Sequence, residues 1–157
     1  MEEKREPEDT KELEAEIKTY SEEYKEAVRN FFSEIGLESE AVDNLPENFW
    51  VAMAKDNKVV GTVGISDCEN RIAQLKRMYV EEELRGKGLG KRLMSAVIDF
   101  AKQNGYEKMF LITSPENIKA QEFYTKNGWE KVDAPPDTQA TYPDGRAYFE
   151  IDLKREK

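Results

Sequence analysis

Histidine is absent from all 157 residues. No imidazole can therefore act as a general base, or activate a nucleophile, anywhere in this chain. Cysteine occurs once, as Cys68, so no internal disulfide can form. With no histidine beside it, Cys68 reads as a structural thiol rather than a nucleophile. No apolar run approaches the ~20 residues of a membrane span, and the opening MEEKREPEDT lacks the apolar segment of a secretory signal. A reducing cytoplasm, no membrane partner and no metal are the expectations. Acids outnumber bases by nine charges. That balance argues against nucleic acid and gently favours a cationic ligand, although acidity more often serves solubility.

What is present is a chain of single-domain length, 38% apolar and 36% charged. Among the first 16 residues eight acids face three bases, with Pro7 and almost nothing apolar. Residues 1–12 are expected to form a disordered acidic tail, and 13–157 one domain.

The stretch from Gln74 to Gly105 organises the rest. Ile72 to Val80 is rich in apolar and β-branched residues, Glu81 to Leu84 breaks the run, and Arg85-Gly86-Lys87-Gly88-Leu89-Gly90 brings three glycines within five positions. From Leu89 onward, Leu89, Leu93, Ala96, Val97, Phe100 and Ala101 recur at helical spacing, and Gly105 stands where a C-terminal cap belongs. The reading is strand, glycine turn, helix. Glycines admit φ > 0 and let an anion approach backbone N–H groups, and a helix N-terminus adds the positive end of its dipole. Arg85, Lys87, Lys91 and Arg92 supply four cations with no acid between them. A pyrophosphate would sit well there. A plain glycine turn with solvated lysines accounts for those six residues about equally well when they stand alone.

Upstream, Leu13 to Tyr20 alternates like a half-buried strand. Ser21 is placed to cap a helix carrying Tyr24, Ala27, Val28, Phe31, Phe32 and Ile35 on one face, and Gly36 to end it. Glu38 to Asn44 suggests a second short helix. Phe49 to Lys55 and Lys58 to Ser66 form a hairpin about Asp56-Asn57, with Gly61 and Gly64 as candidate bulges. Downstream, Lys108 to Thr113 reads as a strand. Ser114 to Asn117 opens a helix with Ile118, Ala120, Phe123 and Tyr124 as its apolar face, closed by Gly128. Trp129 to Val132 and Arg146 to Leu153 are two more strands around a proline- and acid-rich loop, Asp133 to Gly145. The order β-α-(α)-β-β-β-α-β-α-β-β implies an α+β or mixed α/β domain: a central mixed, mostly antiparallel sheet of about seven strands flanked by helices.

The glycine turn fits two common phosphate-binding patterns poorly. A P-loop, G-x-x-x-x-G-K-S/T, requires its lysine after the last glycine. A dinucleotide fingerprint, G-x-G-x-x-G, requires a glycine where Lys91 stands. The pattern Q/R-x-x-G-x-G/A is met by Arg85, Gly88 and Gly90, and resembles the acetyl-CoA loop of the GNAT family of N-acetyltransferases. A second segment, Asn117 to Trp129, is similar to that family's N-x-x-A-x-x-F-Y-x-x-x-G-F/W. Both lie in order on the expected elements, and the resemblance extends over about residues 13 to 153.

The resemblance implies an acyl-CoA N-acyltransferase fold, with pantetheine between parallel strands ending near Val80 and Thr113. It implies pantetheine amides bound by the backbone of Met78, Tyr79 and Val80, and pyrophosphate bound by the N–H groups of Arg85, Gly86, Lys87, Gly88, Leu89 and Gly90, with Lys91 beside them. A backbone N–H near Met78 or Val80 would hold the thioester oxygen. Asn117 would contact pantetheine, and Tyr124 would give a proton to the departing thiolate. Free tyrosine has pKa about 10 and a thiol about 8.5, so full protonation is uphill by roughly 2 kcal/mol and a hydrogen bond to sulfur is the lighter demand.

The implied reaction is acetyl transfer from acetyl-CoA to a primary amine of a small molecule or peptide, by direct attack in a ternary complex. The helices after Ser21 would border the acceptor site, although Phe31, Phe32 and Ile35 are better placed as core. Where many members carry a glutamate before the loop this chain has Gln74, which leaves Asp67, Glu69, an acid of the 133–145 loop, or solvent as the base. Tyr142, Asp144 and Arg146 could line an acceptor pocket or form an ordinary turn. A non-catalytic acyl-CoA-binding module is the alternative function. A homodimer through the final strands is open, since nothing in the pattern demands one.

Overall fold

A computed structural model of the chain describes residues 15–134 and 145–154. Its strands are β1 (Glu16–Thr19), β2 (Asn48–Met53), β3 (Val59–Asp67), β4 (Ile72–Val80), β5 (Lys108–Thr113), β6 (Glu130–Val132) and β7 (Ala147–Asp152). Its α-helices are α1 (Lys25–Glu34), α2 (Leu89–Gln103) and α3 (Ile118–Lys126). The strands form one sheet in the order β1-β2-β3-β4-β5-β7-β6. β4 and β5 run parallel, whereas β1–β2, β2–β3, β5–β7 and β6–β7 are antiparallel. The mixed, mostly antiparallel sheet expected from the sequence is the one observed. The tail, Leu13, and Tyr142 and Asp144 of the late loop lie outside the described residues.

The chain groups into two compact units. One comprises the residues up to Ile65 with Lys76–Val97, the other Ser66–Leu75 with the residues from Ile98 on.

The core of the first unit explains its sequence pattern. Val28, Phe31 and Phe32 of α1 are buried with Phe49, Val51 and Met53 of β2 and with Val59 of β3. Phe31 and Phe32 are core side chains, as their spacing suggested. Ser21 does something other than cap: a 3₁₀ turn, Glu22–Tyr24, intervenes before α1, and the Ser21 hydroxyl donates to the Glu23 carboxylate instead of accepting a backbone N–H. The expected second helix is a 3₁₀ segment, Ser39–Asp43.

The three α-helices among the described residues end in the same hydrogen-bonded motif. A glycine at positive φ (Gly36 +91°, Gly105 +85°, Gly128 +95°) follows the cap residue. The next residue's N–H returns to the carbonyl five positions back: Leu37 to Phe32, Tyr106 to Ala101, Trp129 to Tyr124. Only glycine takes that conformation without a Cβ penalty, which is why each stop is visible in the sequence.

The β2–β3 hairpin turns at Asp56-Asn57, with Asn57 at φ +65° and the Asp56 carboxylate accepting the Lys58 N–H. Its bulge comes where Ala52 pairs with Gly61 but Met53 with Val59, leaving Val60 extra. Gly64 is not a bulge. It pairs in register with Phe49, and a Cβ there would lie 2.7 Å from the Phe49 ring, 2.8 Å from Pro46 and 2.9 Å from the Asn48 carbonyl. Close approach, not backbone freedom, requires glycine there.

In the second unit, Ile72, Ala73 and Gln74 of β4 pair with Lys108, Met109 and Phe110 of β5, and β5 pairs along its whole length with β7. The turn before β4 holds Glu69, Asn70 and Arg71 in succession at positive φ. Arg71 is tied to Glu107 twice, by a side-chain ion pair at 3.1 Å and by its carbonyl accepting the Glu107 N–H. Ile118 departs from expectation: it is 57% exposed, while Tyr124 two turns on is buried.

The crowding at Gly64 sets a test of the fold. Gly64→Ala should lower stability by about 1–3 kcal/mol, the usual cost of overpacking, measured as a fall in the urea midpoint at unchanged slope. An unchanged midpoint would show that the site is roomier than these distances allow.

Candidate cofactor-binding and active-site residues

The glycine turn is built in three steps. Glu81 comes directly after β4 and its N–H donates to the Val60 carbonyl. A 3₁₀ turn, Glu82–Leu84, then carries the chain to Arg85, whose Nε donates to the Val80 carbonyl at 3.0 Å. Gly86 and Gly88 come next at φ +83° and +92°, with nothing within 4 Å of where a Cβ would stand. Their requirement is conformational, and the space beside them is open. Gly90 is different: it is already inside α2.

The first intrahelical bond of α2 runs from the Arg92 N–H to the Gly88 carbonyl. The N–H groups of Leu89, Gly90 and Lys91 therefore have no acceptor within the helix, and no acid occupies its first turn to neutralise the dipole. An anion is the natural complement to this end. Of the four cations counted in the sequence, two also have structural duties. Arg85 clamps the turn to the strand end, and Arg92 donates to the Ala15 carbonyl at 2.7 Å, fastening α2 to the approach of β1.

The strand leading into the turn carries a feature that the sequence did not announce. Arg77 lies in mid-strand at φ +54°, and its carbonyl accepts the hydroxyl of the fully buried Thr62 at 2.8 Å. A left-handed residue within a strand breaks the regular ladder and re-aims the residues after it. Those residues are Met78, Tyr79 and Val80, all half-buried. Tyr79 packs edge-on against Phe32, with ring centroids 6.2 Å apart.

Beyond the strand, burial raises the Glu81 carboxyl above the ordinary glutamate range. The Lys58 ammonium, 3.8 Å away, opposes that shift, and the charges of Glu83 and Glu34 reinforce it. Glu81 carries no signal in the sequence, because it stands in a run of three glutamates without periodicity.

In the second unit, Asn117 caps α3: its side-chain oxygen accepts the Ala120 N–H at 3.2 Å. Tyr124 is 7% exposed, with its ring against Phe123, Trp129 and Phe149 at centroid distances of 5.6–5.9 Å. Gln74 is half-buried on β4. Asp67 accepts the Glu69 N–H within its own turn and the Tyr106 hydroxyl, from beyond α2, at 2.9 Å. Glu69 is exposed. An open groove of about 400 Å³ beside α3 is lined by Ile118, Thr125 and Phe149 among others, and includes none of the residues singled out in the sequence as binding or catalytic.

This architecture is that of the acyl-CoA N-acyltransferases. An acetyltransferase of the GNAT family from Staphylococcus aureus superposes with a TM-score of 0.76 at 24% identity, over 88% of this chain and 99% of that one. The PaiA N-acetyltransferase of Thermoplasma acidophilum, in complex with coenzyme A, does so with a TM-score of 0.68 at 20% identity, over 88% and 98%. The sequence model of the acetyltransferase (GNAT) family matches residues 8–129, and the chain belongs to that family. Human N-acetyltransferase 8B is 36% identical over 89 residues, 54% of this chain and 39% of its own length. The chain spans well under half of that relative.

The turn and the strand end each yield a test. Gly88→Val forces a β-branched residue into a left-handed position at about 1–2 kcal/mol, so affinity for CoA should fall roughly tenfold by calorimetry; equal affinity would remove the turn from the binding site. The raised Glu81 carboxyl means that the folded state holds this proton more tightly than the unfolded chain does. Above about pH 4.3 its contribution to stability therefore falls as pH rises toward the folded pKa. The stability of Glu81→Gln relative to the parent should grow between pH 4 and 7 in urea titrations, and a difference that shrinks would contradict the burial.

Proposed function

We propose that the chain is an acetyl-CoA-dependent N-acetyltransferase that acts on a primary amine of a small molecule or peptide by direct attack in a ternary complex. The observation that carries this is the turn: left-handed Gly86 and Gly88 open onto the unneutralised N-terminus of α2. An acetyl donor bearing a pyrophosphate suits that site, and membership of the family supports the choice of CoA.

On this reading, the N–H groups from Arg85 to Gly90 bind pyrophosphate with Lys87 and Lys91 as nearby cations. The backbone of Met78, Tyr79 and Val80, re-aimed by the left-handed Arg77, holds the pantetheine amides, and one of its N–H groups stabilises negative charge developing on the thioester oxygen. The amine nitrogen bonds to the acetyl carbon, the carbon–sulfur bond breaks, and the Tyr124 hydroxyl hydrogen-bonds to the departing sulfur or protonates it. The nitrogen sheds its extra proton to water, directly or through a carboxylate. Asn117, already the cap of α3, offers its remaining amide to pantetheine. Positioning of the two substrates supplies most of the acceleration, so a dedicated base is dispensable.

A non-catalytic acyl-CoA-binding module is the second reading, favoured by one residue: Gln74, which cannot take a proton. Turnover decides between them. Thiol release from acetyl-CoA should depend on an added amine and fall by about 10²–10⁴ in Tyr124→Phe, while CoA affinity holds. Tight CoA binding without release, across a broad amine panel that includes peptides, would favour the module.

A further inference from the structure

The geometry of Arg77 points to a carboxylate-bearing acceptor: its guanidinium reads a carboxylate close to the amine that is acetylated, so the substrate is an amino acid or a similar amino-carboxylate. This inference rests on the transferase reading above and narrows its acceptor.

Arg77 immediately precedes Met78–Val80, the strand segment assigned to the thioester end of the donor. Its backbone is pinned. A non-glycine residue at φ +54° is held against its preference, and the Thr62 hydroxyl fixes its carbonyl. Its side chain has a platform too: the guanidinium carbon stands 5.9 Å from the centroid of the Phe32 ring, which is itself fully buried and braced by Tyr79. Stacking on an aromatic face leaves the five N–H donors of a guanidinium free in its plane.

Among the described residues no oxygen meets those donors. Arg29 and Arg71 pair with glutamates, and Arg85 and Arg92 donate to carbonyls. Arg77 is half-buried, yet no acid among the described residues pairs with it, in a chain whose acids exceed its bases by nine. A half-buried cation without a counter-ion is costly unless a ligand supplies one. A planar fork matches a carboxylate with two parallel hydrogen bonds. The phosphates of the donor have their own place at the turn from Arg85 on, so the acceptor is the partner left to bring the charge.

The test compares matched acceptors with the full-length chain and acetyl-CoA: free amino acids against the corresponding amino-acid amides, which keep the amine and side chain but lose the charge. The parent should favour the carboxylate by about 10- to 100-fold in kcat/KM, the range of a charge-assisted pair. Arg77→Gln should bring that ratio toward one, and Arg77→Lys, which keeps the charge but loses the fork, should leave it between. The ratio is internal to each variant, so a general loss of stability cannot mimic the result. Turnover of amides and simple amines with no preference for carboxylates would overturn this inference and leave the transferase standing. An unchanged ratio in Arg77→Gln, with a lowered urea midpoint, would make Arg77 a packing residue. Absence of turnover with both series, despite CoA binding, would overturn this inference; the transferase reading falls with it only when simple amines and peptides also give no thiol release.

Discussion

A helix leaves its first N–H groups without partners, and something outside the helix must answer them. At the start of α2 the sequence provides no acid to do so. The turn before it is shaped so that the space stays open: Gly86 and Gly88 swing through left-handed conformations, and no atom fills the volume beside them. Arg85 and Arg92 are spent partly on holding this arrangement, one fastening the turn to the Val80 carbonyl and the other fastening α2 to Ala15. The site is thus defined by backbone, and two of the cations around it have double duties.

The same economy governs the chemistry. The chain has no histidine, and position 74 on the strand before the turn holds a glutamine, which cannot take a proton. Asp67 already accepts hydrogen bonds from Glu69 in its turn and from Tyr106. Glu81 is an acid beside the strand end whose environment disfavours its charged form, and it leans on Lys58. Such a composition suits a reaction in which alignment and a polarised carbonyl carry most of the load.

The parts of this fold that the sequence announces are those with a local physical cause. Helix stops were legible because a positive φ after a helix calls for glycine, as at Gly36, Gly105 and Gly128. The Asp56-Asn57 hairpin was legible for a similar reason, and the core faces of α1 and α2 came from periodicity. The features that stayed hidden depend on contacts remote in sequence. Nothing about an arginine between Lys76 and Met78 suggests a left-handed strand residue, and the contact that accompanies it, the Thr62 hydroxyl on the Arg77 carbonyl, comes from a residue 15 positions away. Gly64 reads as a bulge in sequence, yet Phe49 and Pro46 crowd it. Ser21 and Ile118 satisfied their local patterns and were overruled by a 3₁₀ turn and by an exposed face of α3. Only the resemblance assigns residues to the donor, whereas the setting of Glu81 and the left-handed Arg77 emerge only in the fold.

The glycine-capped helix ends also bear on the order in which the molecule assembles. Their closing bonds span only three to five residues, so they can form within a fluctuating helix before any sheet exists, fixing where each helix stops. The parallel register of β4 with β5 has no such local instruction. The Arg71–Glu107 bond that flanks it joins residues 36 apart, and closing a loop of that size costs chain entropy before any pairing repays it. Helix stops therefore have a local cause, whereas the parallel seam, like the β5–β7 pairing, depends on residues remote in sequence.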